Sequence, residues 1–338
     1  MRADGLVLAL ALAIGAASAP VAAADAPPAL EGISPSLAAA GAQSAAQAAA
    51  WTAYLAPVLE AMRTSTNVRE QALALAVLHR MRQDTAAPHT ATAAQTSPDA
   101  LGALARSNPD DLLVQRIAAM EAQGAARAAA LARLQQLEPD NAANWALSLP
   151  GSTDETTDPL PTLTRMAASA RFDEGTAAAA AVWSQVFARF PPPPDVLASA
   201  SEPDAPGSPA GLANMSGFAM AMTMPGGIAW QDLLAACKPA ATDAAGRRER
   251  CVVGGRLLLH EATTLLAAHV GEGVLRRLDA IDDRDAARIT ELGTWRKAAM
   301  SADGEWNEAF LADWLLTGSE IEALRLGAAR SDAGTTSG

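Results

Sequence analysis

Lysine is almost missing from this chain: Lys238 and Lys297 are the only two among 338 residues, and 37 Asp and Glu outweigh 25 Lys and Arg. The formal net charge is -12. Arginines scattered over an acidic chain form no continuous basic face, so nucleic acid is excluded as a partner. Cysteine is equally scarce. Cys237 and Cys251 cannot build a disulfide-dense scaffold or a Cys-only zinc site. Period-two alternation of β-branched residues is missing too, which leaves a sheet without support. No GxSxG elbow, P-loop or GxGxxG fingerprint occurs, and Gly226-Gly227 and Gly254-Gly255 are isolated pairs. The hydrophobic fraction of 50% is too high for a disordered chain.

What is present is alanine, about a quarter of the residues, the strongest helix former. Apolar positions recur at intervals of three and four in Val182/Val186, Trp183/Phe187/Phe190, Val274/Leu278/Ile281, Ile289/Leu292/Trp295 and Trp306/Phe310/Trp314. Asn67 with Glu70, and Ser319 with Glu322, have capping-box spacing, and Gly318 suits a helix end. Ser97-Pro98 and Asn108-Pro109 place a capping residue before a proline at the first helical position. These signals predict helices near 36–63, 67–83, 98–106, 109–123, 125–137, 140–148, 160–171, 174–190, 212–223, 228–237, 245–270, 272–282, 285–300, 303–317 and 319–329. The expected fold is all-α: packed antiparallel helical hairpins in an irregular array or bundle. Alanine buries little area, so the Trp, Phe, Leu and Met positions are expected to form most of the core.

The chain divides by composition. Residues 1–24 read as a signal peptide: Arg2, an apolar Leu6 to Ala17 too short to span a bilayer, then Ala22-Ala23-Ala24, with cleavage predicted after Ala24. No transmembrane segment follows its removal, and the mature chain is expected to be periplasmic or secreted. Residues 25–190 form an N-terminal helical-hairpin region. Residues 191–211, with four consecutive prolines, read as a linker. Residues 212–330 form a C-terminal helical region holding both cysteines, and 331–338 a disordered tail.

Leu131 to Trp145 reads LARLQQLEPDNAANW, which resembles the junction between tetratricopeptide repeats. Pro139 matches the turn proline, Trp145 the early aromatic of the next helix, and Gly124 the turn inside the preceding pair. The likeness covers about residues 105–150. Pro109 and Pro139 are 30 residues apart, short of the repeat period of about 34, and Ser148-Leu149 stand where that family prefers Leu-Gly. The resemblance implies side-by-side hairpins and a protein-interaction role. The whole chain also resembles exported proteins of high-GC proteobacteria, a likeness that implies no activity.

Candidate chemistry is thin. Cys237 and Cys251, in an exported chain, are expected to form a disulfide that closes a loop worth about 3 kcal/mol. Met215, Met220, Met222 and Met224 offer soft thioether ligands for Cu(I). Residues two apart on a helix diverge by about 200°, so Met220, Met222 and Met224 converge only in an extended strand, and core packing is the preferred reading. His260-Glu261 opens like a zincin motif, but Thr264 stands where its second His belongs, and His269 and Glu272 lie too far along. Asp279, Asp282, Asp283 and Asp285 do not match a calcium loop, which would need a ligand at Ala287 and a Gly at Arg288. They fit helix capping instead. No metal or cofactor is expected, and no catalytic residue stands out. The resulting expectation is an exported, non-enzymatic helical protein that binds another envelope protein or peptide, or serves as a structural component of the envelope. The alternatives are an enzyme with a dispersed site and a periplasmic carrier of Cu(I) or a small ligand.

Overall fold

A computed structural model describes residues 50–84, 99–151, 157–193, 230–239, 246–301 and 308–335. The expected signal peptide, the Met215 to Met224 segment, the helix at 212–223 and all but the first residues of the 191–211 stretch lie outside them.

The fold is all-α. In chain order, α1 (50–63) is followed by α2 (Val68–Asp84), α3 (Asp99–Ser107), α4 (Leu112–Glu121), α5 (Gly124–Leu137), α6 (Ala142–Ala146), α7 (Leu160–Ala167) and α8 (Thr176–Arg189). Then come α9 (Trp230–Ala236), α10 (Arg247–Glu261), α11 (Leu265–Arg277), α12 (Asp283–Ser301), α13 (Glu308–Thr317) and α14 (Glu320–Thr335). No strand occurs among the described residues, only the isolated bridges Asn141 to Arg171 and Phe172 to Ala262.

Side-chain capping sets several starts. Asn67 Oδ1 accepts from Arg69 N at 3.0 Å, so α2 begins where expected. α4 starts later than the Asn108-Pro109 signal predicts: Asp111 caps it instead, accepting from the Leu113 and Val114 amides at 3.1 Å. The aspartate run does cap α12. Asp282 accepts from Asp285 N at 2.9 Å and Asp285 accepts from Asp282 N at 3.2 Å, a reciprocal box on two orphan amides.

Two expectations change. The single helix expected over 245–270 is broken at Ala262 to Thr264, where Thr264 turns extended and caps α11 through Ala267 N. The predicted break near Gly271 is absent, because this glycine sits inside α11 for a different reason. A Cβ there would stand 2.5 Å from Gly255 O and 2.7 Å from Leu259 N, so only a bare Cα lets α10 and α11 pack this closely. In addition, α14 continues to Thr335, into the stretch expected to be a tail.

The largest fully buried side chains include Trp183, Trp314, Phe172, Phe187, Leu59 and Met62. Alanine contributes more to the core than expected: Ala72, Ala118, Ala179 and Ala323 are among many with no exposure. One buried cluster contains Trp51, Trp183, Leu258 and Trp314, and thus residues from both sides of 191–211. Phe172 meets Trp230 with ring centroids 5.7 Å apart. Packing of α7 on α10, and of α8 on α13, extends the same union.

Candidate functional site

Four interhelical connections lie edge to edge. Ala142 N donates to Arg171 O at 2.9 Å, joining the α5–α6 and α7–α8 connections. Phe172 N donates to Glu261 O at 3.3 Å, and Thr263 N donates back to Phe172 O at 3.2 Å, which adds the α10–α11 connection. Glu320 N then donates to Thr263 O at 2.8 Å, adding the α13–α14 connection. Each bridge involves one or two residues, so the backbone bonds outside the helices are met across the stack without any sheet.

Charge is buried inside this stack. Arg116, on α4 and 4% exposed, donates to Asp173 O at 2.5 Å, to Glu138 Oε2 at 2.9 Å and to Asn144 Oδ1 at 3.2 Å. Arg171 donates to the other oxygen of Glu138 at 2.7 Å. Asn141 closes the ring: its amide donates to Asp173 O at 2.9 Å and its oxygen accepts from Asp173 N at 3.0 Å. Desolvation lowers the Arg116 guanidinium from its ordinary value, opposed by the charges of Asp173, Glu138 and Glu174. Burial pushes Glu138 up, but the hydrogen bond from Arg171 and the charge of Arg116 outweigh it and hold its carboxyl below the usual value. Gly175 completes the geometry. Its φ of +71° is left-handed, and a Cβ there would stand 2.8 Å from Arg116 Nη1.

Beside this network stand two carboxylates with weaker compensation. Glu174 accepts a hydrogen bond from the Thr264 hydroxyl. Glu320 accepts from Leu265 N at 2.9 Å, at the start of α11. Both residues retain part of their surface, while protein atoms crowd the carboxyl groups. That burial pushes Glu174 up to about 7, with the neighbouring Glu320 and Asp173 adding to the rise and Thr264 and Arg116 opposing it. Glu320 also rises to about 7 through burial, offset in part by Leu265 N–H and the Arg296 charge.

A separate cluster lies between α10 and α12. His260 Nε2 is 2.9 Å from Asp285 Oδ1, and Arg256 reaches Asp285 at 3.1 Å and Asp282 at 2.8 Å. Asp285 is pushed up by burial, but its bonds to His260, Asp282 N–H and Arg256 leave it below its ordinary value. His260 is therefore an interhelical tie. Among the described residues no group of three metal-capable side chains forms. Cys237 and Cys251 stand at disulfide distance, with sulfurs 2.07 Å and Cα atoms 5.6 Å apart, linking α10 to the end of α9. Met220, Met222 and Met224, the alternative Cu(I) ligands, lie with Met215 outside the described residues.

Sequence reasoning missed Arg116, Glu174 and Glu320. The one local signal was the Thr263-Thr264 pair before Leu265-Leu266, a capping residue ahead of an apolar helix start. No protein-family model, curated protein or solved structure matches the chain. The fold and this stack define it only as an all-α protein with charge buried at its helix junctions.

Proposed function

We propose that this chain is an exported, non-enzymatic scaffold of the bacterial envelope that binds another envelope protein or peptide through its surface. One observation carries the reading. Leu316, 83% exposed, and Leu266, 58% exposed, belong to the helix ends that meet at the Thr263–Glu320 bridge. Exposed leucines at adjoining helix ends offer apolar surface that a protein partner would cover. The buried charges support the same reading, since their hydrogen bonds hold loops together. The cysteine pair suits an oxidising compartment. No described helix is long and apolar enough to cross a membrane. A kinship with tetratricopeptide repeats belongs to this proposal as well, supported by the α4–α5 pair and by Trp145 Nε1 donating to Pro139 O at 3.0 Å.

The test uses the full chain, expressed in an exporting bacterium, with a photo-crosslinking residue at position 316 or 266. Capture of one envelope protein, lost in Leu316→Asp and Leu266→Asp variants of unchanged melting temperature, supports the proposal. Equal capture by the variants defeats the role of this surface. Intact mass without reductant is expected to show a start at Asp25 and no free thiols. A retained leader or two free thiols overturns the exported reading.

One observation favours a second reading, an enzyme with a dispersed site. Carboxyls titrating near neutrality, as Glu174 and Glu320 do, are suited to proton transfer. Turnover of a defined compound, lost in Glu174→Gln or Glu320→Gln at unchanged stability, would replace the scaffold reading with this one.

A further inference from the structure

We propose that Glu174 and Glu320 form a proton-tightened clasp that holds the α7–α8, α10–α11 and α13–α14 connections together. The geometry carries it. Glu174 ends the α7–α8 connection and is bonded to Thr264; Glu320 opens α14 and is bonded to Leu265 N. Two carboxyls from distant parts of the chain therefore grip adjacent residues at the start of α11. The backbone bridges Thr263 N to Phe172 O and Glu320 N to Thr263 O hold the same three segments in register. When both carboxyls are ionised, the clasp carries two neighbouring like charges that have lost water. Each added proton removes the cost of a carboxylate stripped of water, and with it the lesser repulsion felt by Glu174, while a neutral carboxyl still accepts from Thr264 or Leu265 through its carbonyl oxygen.

The surrounding charges divide between the partners. Arg116 from α4 and Asp173 act on Glu174 with opposite sign, and Arg296 from α12 acts on Glu320. Arg116 is hydrogen-bonded to Glu138, Asn144 and Asp173, so its charge reaches Glu174 while those bonds point elsewhere. Burial outweighs both arginines, and each carboxyl rises to about 7. A folded-state value above the unfolded one means that the folded chain holds the proton more tightly. The contribution is fully present below the ordinary glutamate range and is lost as pH rises through about 7. Mild acidification tightens the junction and alkalinity loosens it. This makes the union of the two sides of the chain sensitive to external pH.

The experiment follows urea midpoints of the full chain from pH 5 to pH 8.5, for wild type, Glu174→Gln, Glu320→Gln and the double variant. The wild-type midpoint is expected to fall as pH rises through neutrality. Each single variant should flatten that fall, and the double variant should abolish it while exceeding wild type at pH 8.5. A second measurement does not depend on the variants' stability: carbon-13 titration of the glutamate carboxyls in the wild-type chain. Two carboxyls with midpoints above 6, lost one at a time in the variants, support the clasp. All glutamates titrating below 5.5, or a midpoint slope unchanged in the double variant, overturns it.

Discussion

Arg116 and the Glu174–Glu320 pair are neighbouring examples of charge withdrawn from water, and the chain treats them in opposite ways. Around Arg116 every partner has the matching polarity: the carboxylate of Glu138, the amide oxygen of Asn144 and the carbonyl of Asp173. Around Glu174 and Glu320 the principal neighbour of each is a neutral donor, Thr264 or Leu265 N–H, so burial is left largely uncompensated, and the charge of Glu320 adds to the cost at Glu174. A paired buried charge fixes one geometry, whereas a buried carboxyl with only a neutral donor makes that geometry depend on protons. The largest test breaks the paired side. Arg116→Ala removes one of the two guanidiniums bonded to Glu138 and one of the two donors to the Asp173 carbonyl, leaves Arg171 and Asn141 as their remaining partners, and is expected to cost about 3–5 kcal/mol in urea unfolding. A loss under about 1 kcal/mol would show that water replaces the guanidinium, and the contrast would fail.

Gly175 sharpens the comparison, because it lies between Glu174 and the arginine. Gly175→Ala meets two obstacles: the left-handed φ of +71° and a Cβ 2.8 Å from Arg116 Nη1. The expected cost is about 1–3 kcal/mol. In the Arg116→Ala background the collision disappears and only the φ strain remains, so the second substitution should cost less there than in wild type. Equal costs in both backgrounds would mean that the arginine already moves aside freely.

The helices were legible because their signals are local. Asn67, Gly318 and the aspartates before α12 each act within a few residues of their own position. The Val182, Trp183, Val186 and Phe187 stripe likewise identifies its own buried face. The clasp was not legible. Glu174 meets Thr264 across 90 positions and Glu320 meets Leu265 across 55, separations that leave no periodic trace. The α10–α11 break illustrates the same limit. The expected helices 245–270 and 272–282 part at Gly271, whereas the chain parts at Thr264, which caps α11. Tertiary packing reversed the choice, because Gly271 is needed where two helix backbones nearly touch. The cysteines lie between these cases: their spacing and the expected export of the chain point to a bridge, and the fold brings the sulfurs together.

Acid gives a smaller effect of opposite sign to the clasp. Glu138 is held below its ordinary value, so its contribution is present above the unfolded glutamate range and is lost as pH falls through its folded value. Asp285, also lowered, adds to this limb. The clasp destabilises on the other side, as pH rises through about 7. Stability should therefore peak in mild acid, near the crossing of the two limbs. Glu138→Gln is expected to lower the peak by about 1 kcal/mol and to flatten only the acid limb. Its alkaline limb should match wild type. Flattening of both limbs in one variant would show that the two clusters titrate as a single unit.

The smallest effect on stability belongs to Leu316. Its side chain is 83% in water, so Leu316→Ser removes almost no buried area and should change the unfolding free energy by less than about 0.5 kcal/mol. Binding should respond differently. If the helix junction is a rigid platform for a partner, the serine variant keeps both pH limbs and loses crosslinked capture. The same substitution then separates stability, which the buried charges govern, from the proposed binding through the exposed leucine. A serine variant that captures as well as wild type would confine Leu316 to bystander status and move the search to Leu266. A stability loss above about 1 kcal/mol would show that the leucine packs against the protein in solution.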